Sequence, residues 1–209
     1  MRRMLLVVSL FFLLPLCANA QETPSVEVFG GYSYFHTENG GDLHGWNGSV
    51  AANLNKWFGL VADVSGHYES RSSNLVVNVP DFPTLPGLPP VEFRFKVDTN
   101  IHTIMVGPRF SYRKIEKITP FAHALFGVSR THTEIESRST SFESFSSDNN
   151  TRFAMAIGGG LDVKLSKSLA LRVIQADYVY KSLGFTRGLF DTHHNFRAGV
   201  GLVFRFGGN

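Results

Sequence analysis

The sequence predicts an all-β fold: an eight-stranded antiparallel up-and-down transmembrane β-barrel, preceded by a cleaved signal peptide. Three observations carry this expectation. Apolar and polar residues alternate with period two in eight successive segments. The connections between those segments alternate between short and long, as in barrels that cross a membrane with tight turns at one end and larger loops at the other. The chain also opens on a leader of the secretory type.

The leader is MRRMLLVVSLFFLLPLCANA, residues 1–20: Arg2 and Arg3, then an apolar run from Met4 to Leu16, then the small-residue ending Ala18-Asn19-Ala20. Cleavage near Ala20 leaves a mature barrel domain over 21–209. Losing the two arginines lowers the formal charge from +3 to about +1, which removes the electrostatic footprint a nucleic-acid partner requires. The only cysteine, Cys17, departs with the leader, so the mature chain has no disulfide, thiol nucleophile or thiolate metal site. A lipid-attachment role for Cys17 is the alternative, but Leu16 stands where lipoprotein signals want a small residue. Export without cysteines fits a bacterial cell envelope. Charged residues make up 18% of the chain, against about 25% in soluble domains. With 19 Phe, 6 Tyr and 2 Trp, this suggests β-structure facing something other than water.

The segments follow in order. In SVEVFGGYSYFH, Val26, Val28, Gly30, Tyr32 and Tyr34 share one face, and Glu27, Phe29, Gly31 and Ser33 the other. HGWNGSVAANL sets Trp46, Val50 and Leu54 against Asn47, Ser49 and Asn53. After Asn55-Lys56, WFGLVADVSGHYE alternates Leu60, Ala62, Val64, Gly66 and Tyr68 with Val61, Asp63, Ser65, His67 and Glu69. Further segments lie near 98–113, 119–133, 152–164, 168–182 and 193–206. No later apolar run approaches the ~18 residues of a membrane helix.

The short connections are Asn55-Lys56, Lys114 to Ile118 and Leu165 to Lys167; the long ones fall near 37–43, 71–97, 134–151 and 183–192. The loop near 71–97 contains NVPDFPTLPGLPP, whose prolines exclude a central strand. The loop near 134–151 is serine-rich. Both are expected at the outer surface.

If the apolar face meets lipid, the opposite face must fill a lumen that eight strands leave just wide enough for side chains. The candidates for a polar interior network are Glu27, Asn47, Asn53, Asp63, His67, Arg109, Asp162, Arg172, Asp177, Arg197 and Arg205, whose opposite charges can pair away from water. Arg172 stands on the wrong alternation relative to Gln175 and Asp177. Either a bulge near Val173 or Ile174 restores it, or Arg172 reaches water at the rim. A polar plug is expected over a diffusive pore.

In the closing NFRAGVGLVFRFGGN, Gly201, Phe204 and Phe206 look like the C-terminal targeting signal of outer-membrane barrels. That signal usually ends the chain, whereas Gly207-Gly208-Asn209 follow here, and Gly199 takes the place of its usual polar residue. With VEVFGGYSYF, GWNGSVAANLNKWFGLVADVSGHY, VGPRFSYR, ITPFAHALFGVSR, AIGGGLDVKLS, LALRVIQADYVY and GVGLVFRF, the whole mature chain resembles the small OmpA/OmpX-like outer-membrane barrels, in the barrel-only group. The resemblance implies a Gram-negative outer-membrane location, outer-membrane lipid and the barrel-assembly machinery as partners, and a monomer. Members with a peptidoglycan-binding domain carry it after the barrel, so that function is not implied.

Three functions follow from these readings. The first is a structural, envelope-integrity or surface-interaction role, without catalysis, cofactor or metal, toward an unidentified surface ligand. The second is a barrel hydrolase or acyltransferase acting on lipid, for which His67 with Ser65 and Asp63, or His123 with Ser129, could be recruited, although no G-x-S-x-G string is present. The third is a soluble lipocalin-like barrel with an apolar interior and a polar exterior. The eight histidines show no H-x-x-x-H spacing that would suggest a metal.

Overall fold

A computed structural model describes residues 23–38, 41–77, 91–139, 143–182 and 192–207. The leader 1–20, the proline-rich stretch 78–90 and the segment 140–142 lie outside the described residues. The strands are β1 (Val26–Thr37), β2 (Asp42–Asn53), β3 (Phe58–Val77), β4 (Val91–Ser111), β5 (Ile118–Ser139), β6 (Glu143–Lys164), β7 (Leu169–Ser182) and β8 (Thr192–Phe206). Each pairs antiparallel with the next, and β8 returns to β1 to close the barrel. Closure pairs the backbone groups that an open edge would leave to hydrocarbon.

Local chemistry makes the tight turns. The Asn55 side-chain oxygen accepts hydrogen bonds from the backbone N–H groups of Trp57 (2.9 Å) and Phe58 (2.8 Å), the way asparagine commonly folds a chain back on itself. Ser166 Oγ accepts from the Leu169 N–H at the turn between β6 and β7. At the closing seam Gly31 of β1 faces Gly201 of β8. A Cβ on Gly201 would lie 2.3 Å from the Gly30 carbonyl oxygen, and one on Gly31 2.1 Å from that of Val200. The seam therefore closes only around glycine.

The connections expected over 71–97 and 134–151 are shorter than that. β3 and β4 stay paired to Val77↔Val91, and β5 and β6 to Arg138↔Glu143. Polar composition reads as loop when a strand is expected to show an apolar face, but a hairpin standing in water needs none. Lys96 opposite Glu136 is an opposite-charge cross-strand pair that supports it. β3 to β6 thus run 20 to 22 residues, while β1, β2, β7 and β8 run 12 to 15. The excess forms a one-sided, four-stranded extension at the long-connection end. It rises beyond the last partners of its flanking strands, His44↔Tyr68 and Phe153↔Ser182.

Around the barrel wall Val50, Leu60, Ile104, Val106, Phe126, Val128 and Ile157 point outward and are exposed. Aromatic rings flank this band. Trp57, Phe58 and Phe110 contact one another at the turn end, and Tyr32, Trp46, Tyr68 and Tyr178 stand at the other. On β5 the band stops between Val128 and Arg130, whose β4 neighbours are Ile104 and His102.

Candidate functional site

Period two turns one face of every strand into the lumen, and most of the chemistry of the chain is gathered there. Glu27 of β1 receives Arg109 of β4 at 3.2 Å, Arg113 through both terminal nitrogens at 3.1 and 3.2 Å, and Arg205 of β8 at 3.1 Å. Arg109 also reaches Asp162 of β6 at 3.2 Å, and Asp162 takes Arg172 of β7 at 2.8 Å. Arg172 donates to the Gln175 side-chain oxygen, and Gln175 to Asp177, each at 2.8 Å. Asp177 and Asp63 share Arg197 of β8, both at 2.7 Å, and Asn47 donates to Asp63. One continuous chain of ion pairs and charge-assisted hydrogen bonds therefore links seven of the eight strands across the barrel. Its members are almost wholly shielded: Arg197 is 2% exposed and Asp177 0%.

Arg172, Gln175 and Asp177 all face inward because β7 carries an extra residue. Its register shifts between Arg172 and Gln175 against β8, and the shift against β6 falls at Leu161/Asp162. The extra residue turns both Val173 and Ile174 toward the exterior.

Several lumen residues escaped the sequence reading. Arg113 lies on the alternation of Arg109 but adjoins a turn, where period two no longer marks a face. His123, a catalytic candidate by sequence, is instead hydrogen-bonded to Asp177 at 2.8 Å within the network. Lys181 is buried over the Phe35 ring at 4.6 Å. The guanidinium of Arg109 lies 4.1 Å from the Phe121 centroid, and that of Arg172 4.2 Å from Phe29, so aromatic faces carry part of the load of burying charge. The lumen is also less polar than the alternation suggested. Phe35, Leu43, Ile101, Met105, Leu125 and Val179 point inward as an apolar cluster. Asn53 sits at the turn end, donating to the Pro24 carbonyl.

Neither proposed catalytic set assembles. His67 Nε2 meets Ser33 Oγ at 2.8 Å, its Nδ1 has no partner among the described residues, and Asp63 is taken by Arg197 and Asn47. His123 binds Asp177, while Ser129 pairs with Thr103. These groups lie in the lumen, away from the lipid boundary where such a substrate would approach. Among the described residues no cluster of three or more His, Cys, Asp or Glu could hold a metal. Gly201 sits at the closing seam, and Phe204 and Phe206 point outward at the turn end.

On the extension, β5 places His132 between Glu134 (2.9 Å) and Asn149 (3.0 Å). The hydrogen bond that His132 donates to Glu134, then the one to the Asn149 side-chain oxygen, raises the His132 pKa. Lys96 and Asp98 meet at 2.6 Å; their hydrogen bond holds the lysine up and the carboxyl down.

A closed barrel with an apolar, aromatic-girdled exterior and an ion-paired interior is a transmembrane β-barrel, and its polarity is the reverse of a lipocalin-like carrier. The chain belongs to the outer membrane protein beta-barrel domain family, whose model matches residues 4–204. Among solved structures, it is similar to the attachment invasion locus protein Ail of Yersinia pestis, solved in complex with the heparin analogue sucrose octasulfate: 16% identity, 88% of this chain and 99% of that one, TM-score 0.54. It is also similar to the N-terminal β-barrel domain of Pseudomonas aeruginosa OprF (15% identity, 88% and 98% covered, TM-score 0.44). Neisserial surface protein A is a third (12% identity, 90% and 100% covered, TM-score 0.45). No curated protein matches. Family and fold place the chain in the bacterial outer membrane.

Proposed function

We propose that this barrel is a non-enzymatic surface protein, exported by cleavage near Ala20, that presents the β3–β6 extension outside the cell for interaction with an external partner. The observation that carries this reading is the one-sided extension. Beyond Tyr68 and Phe153 the outer edges of β3 and β6 leave their barrel neighbours, and a strand of nine residues spans roughly 30 Å. The ion-paired lumen supports a scaffold role over transport. Outer-membrane lipid meets the apolar band, and Gly201, Phe204 and Phe206 address the chain to the barrel-assembly machinery. The unassembled Ser/His/Asp sets favour this reading over a lipid hydrolase or acyltransferase.

The test compares cells carrying the native chain with cells whose hairpins 72–95 and 137–144 are replaced by tight turns. The reading expects both barrels in the outer membrane as heat-modifiable monomers, with adhesion to immobilised extracellular-matrix protein lost in the shortened form. Equal adhesion by both would overturn the surface role, and purified native barrel that hydrolyses phospholipid would overturn the non-enzymatic assignment.

A further inference from the structure

We infer that the turn end of the lumen binds a small inorganic anion of halide size among Arg109, Arg113 and Arg205. Three observations converge on it. The first is charge. Arg109, Arg113, Arg172 and Arg205 gather on only two carboxylates, Glu27 and Asp162. Higher in the lumen the excess disappears, with Arg197 and Lys181 standing with Asp63 and Asp177. The excess positive charge is therefore concentrated at the turn end, where burial leaves little water to screen it.

The second is acceptor capacity. The two oxygens of Glu27 already take four contacts from the three arginines, which fills a carboxylate's roughly four lone-pair sites. The third is the set of donors left over. Arg109 Nε, Arg113 Nε and Arg205 Nη2 are buried and have no hydrogen-bond partner among the described residues. All three belong to arginines on Glu27; Arg172, whose nitrogens reach Asp162 and Gln175, and Arg197, held by Asp63 and Asp177, leave no such atom. All three guanidiniums bind Glu27, so the arginines that carry these donors stand around one carboxylate. Arg113 follows β4 at the rim, with a side chain 13% exposed, which gives an ion from the aqueous side a way in. A halide makes no directional demand on the donors and needs less room than phosphate. Water could satisfy the N–H groups but would leave the charge in place.

The full chain, refolded in an uncharged detergent, is unfolded with urea in sodium chloride and in sodium gluconate at equal ionic strength, and the 35Cl linewidth is recorded alongside. Chloride about tenfold above its dissociation constant is expected to raise the midpoint by roughly 0.5–1 M and to broaden the 35Cl line, with bromide reversing the broadening. The double variant R113Q/R205Q loses both effects, and K181Q, at the opposite end of the lumen, keeps both. Should the double variant fail to fold, the native comparison and the bromide competition still decide. Equal midpoints in the two salts, with the linewidth of empty micelles, would overturn the proposal. Chloride dependence persisting in R113Q/R205Q would overturn the site.

Discussion

Arg197 on β8 and Asp63 on β3, 134 residues apart in the chain, meet across the lumen at 2.7 Å. Their strands are not neighbours in the barrel, so this contact braces the wall from within rather than adding to a ladder. The second terminal nitrogen of the same guanidinium holds Asp177. Arg197→Ala strands both carboxylates in a dry interior and is expected to destabilise the barrel by about 3–5 kcal/mol. Asp63→Asn, which leaves Arg197 paired with Asp177, is expected to lose less. Urea unfolding followed by tryptophan fluorescence checks the order, and an Arg197→Ala effect below about 1 kcal/mol would show that the network carries little stability.

The bulge in β7 makes a prediction about deletions. Removing Val173 takes out the extra residue and keeps Arg172, Gln175 and Asp177 on one face, so the barrel should still form. Removing Ile157 from regular β6 turns one half of that strand over, exposing buried charge such as Asp162 to lipid or forcing apolar residues inward. Heat-modifiable migration should survive the first deletion and vanish with the second. Equal loss in both would mean that β7 has no residue to spare.

At the seam, Gly201→Ala and Gly31→Ala each place a methyl group against backbone, whereas a Cβ on Gly30 meets nothing within 4 Å. The first two should lower folding yield severely, and Gly30→Ala should leave it unchanged. Refolding yield into vesicles measures the contrast. Normal yield from Gly201→Ala would confine that glycine's role to targeting.

How far the sequence reveals this architecture depends on the residue. Strand faces are legible because Trp46, Val50 and Leu54 alternate with Asn47, Ser49 and Asn53. Period two says nothing about why Leu43, Met105 and Leu125 turn inward, since an apolar residue satisfies either lipid or a packed lumen. The extension was hidden for the opposite reason: apart from Ile135 and Phe145, Glu134 to Arg138 and Ser144 to Asn150 are polar on both faces, as a hairpin in water is free to be. Arg172 was legible as a conflict of parity, but choosing between a bulge and a water-exposed rim needed its partners, Asp162 and Gln175.

The His132–Glu134 contact ties the extension to pH. A histidine whose folded pKa is raised adds stability that is fully present below its unfolded value, near 6.5, and is lost as pH rises through the folded value. Amide protection factors in the β5–β6 part of the extension, corrected for the base-catalysed intrinsic rate, should therefore be higher at pH 6 than at pH 8, while those of the barrel wall change less. Glu134→Gln should lower the His132 pKa and flatten the difference. An NMR titration of His132 unmoved by that substitution would remove Glu134 as the cause.

The most direct test of an inside-out barrel uses its two tryptophans. Trp46 and Trp57 both point outward, 45% and 59% exposed, one at each aromatic girdle. Roughly ten tilted residues separate them, about the height of an apolar membrane band. In vesicles, W46F and W57F each leave one reporter. Both are predicted to be quenched by lipids brominated near the headgroup and shielded from aqueous iodide. Quenching by iodide and not by brominated lipid, from a protein that stays soluble without detergent, would contradict the account.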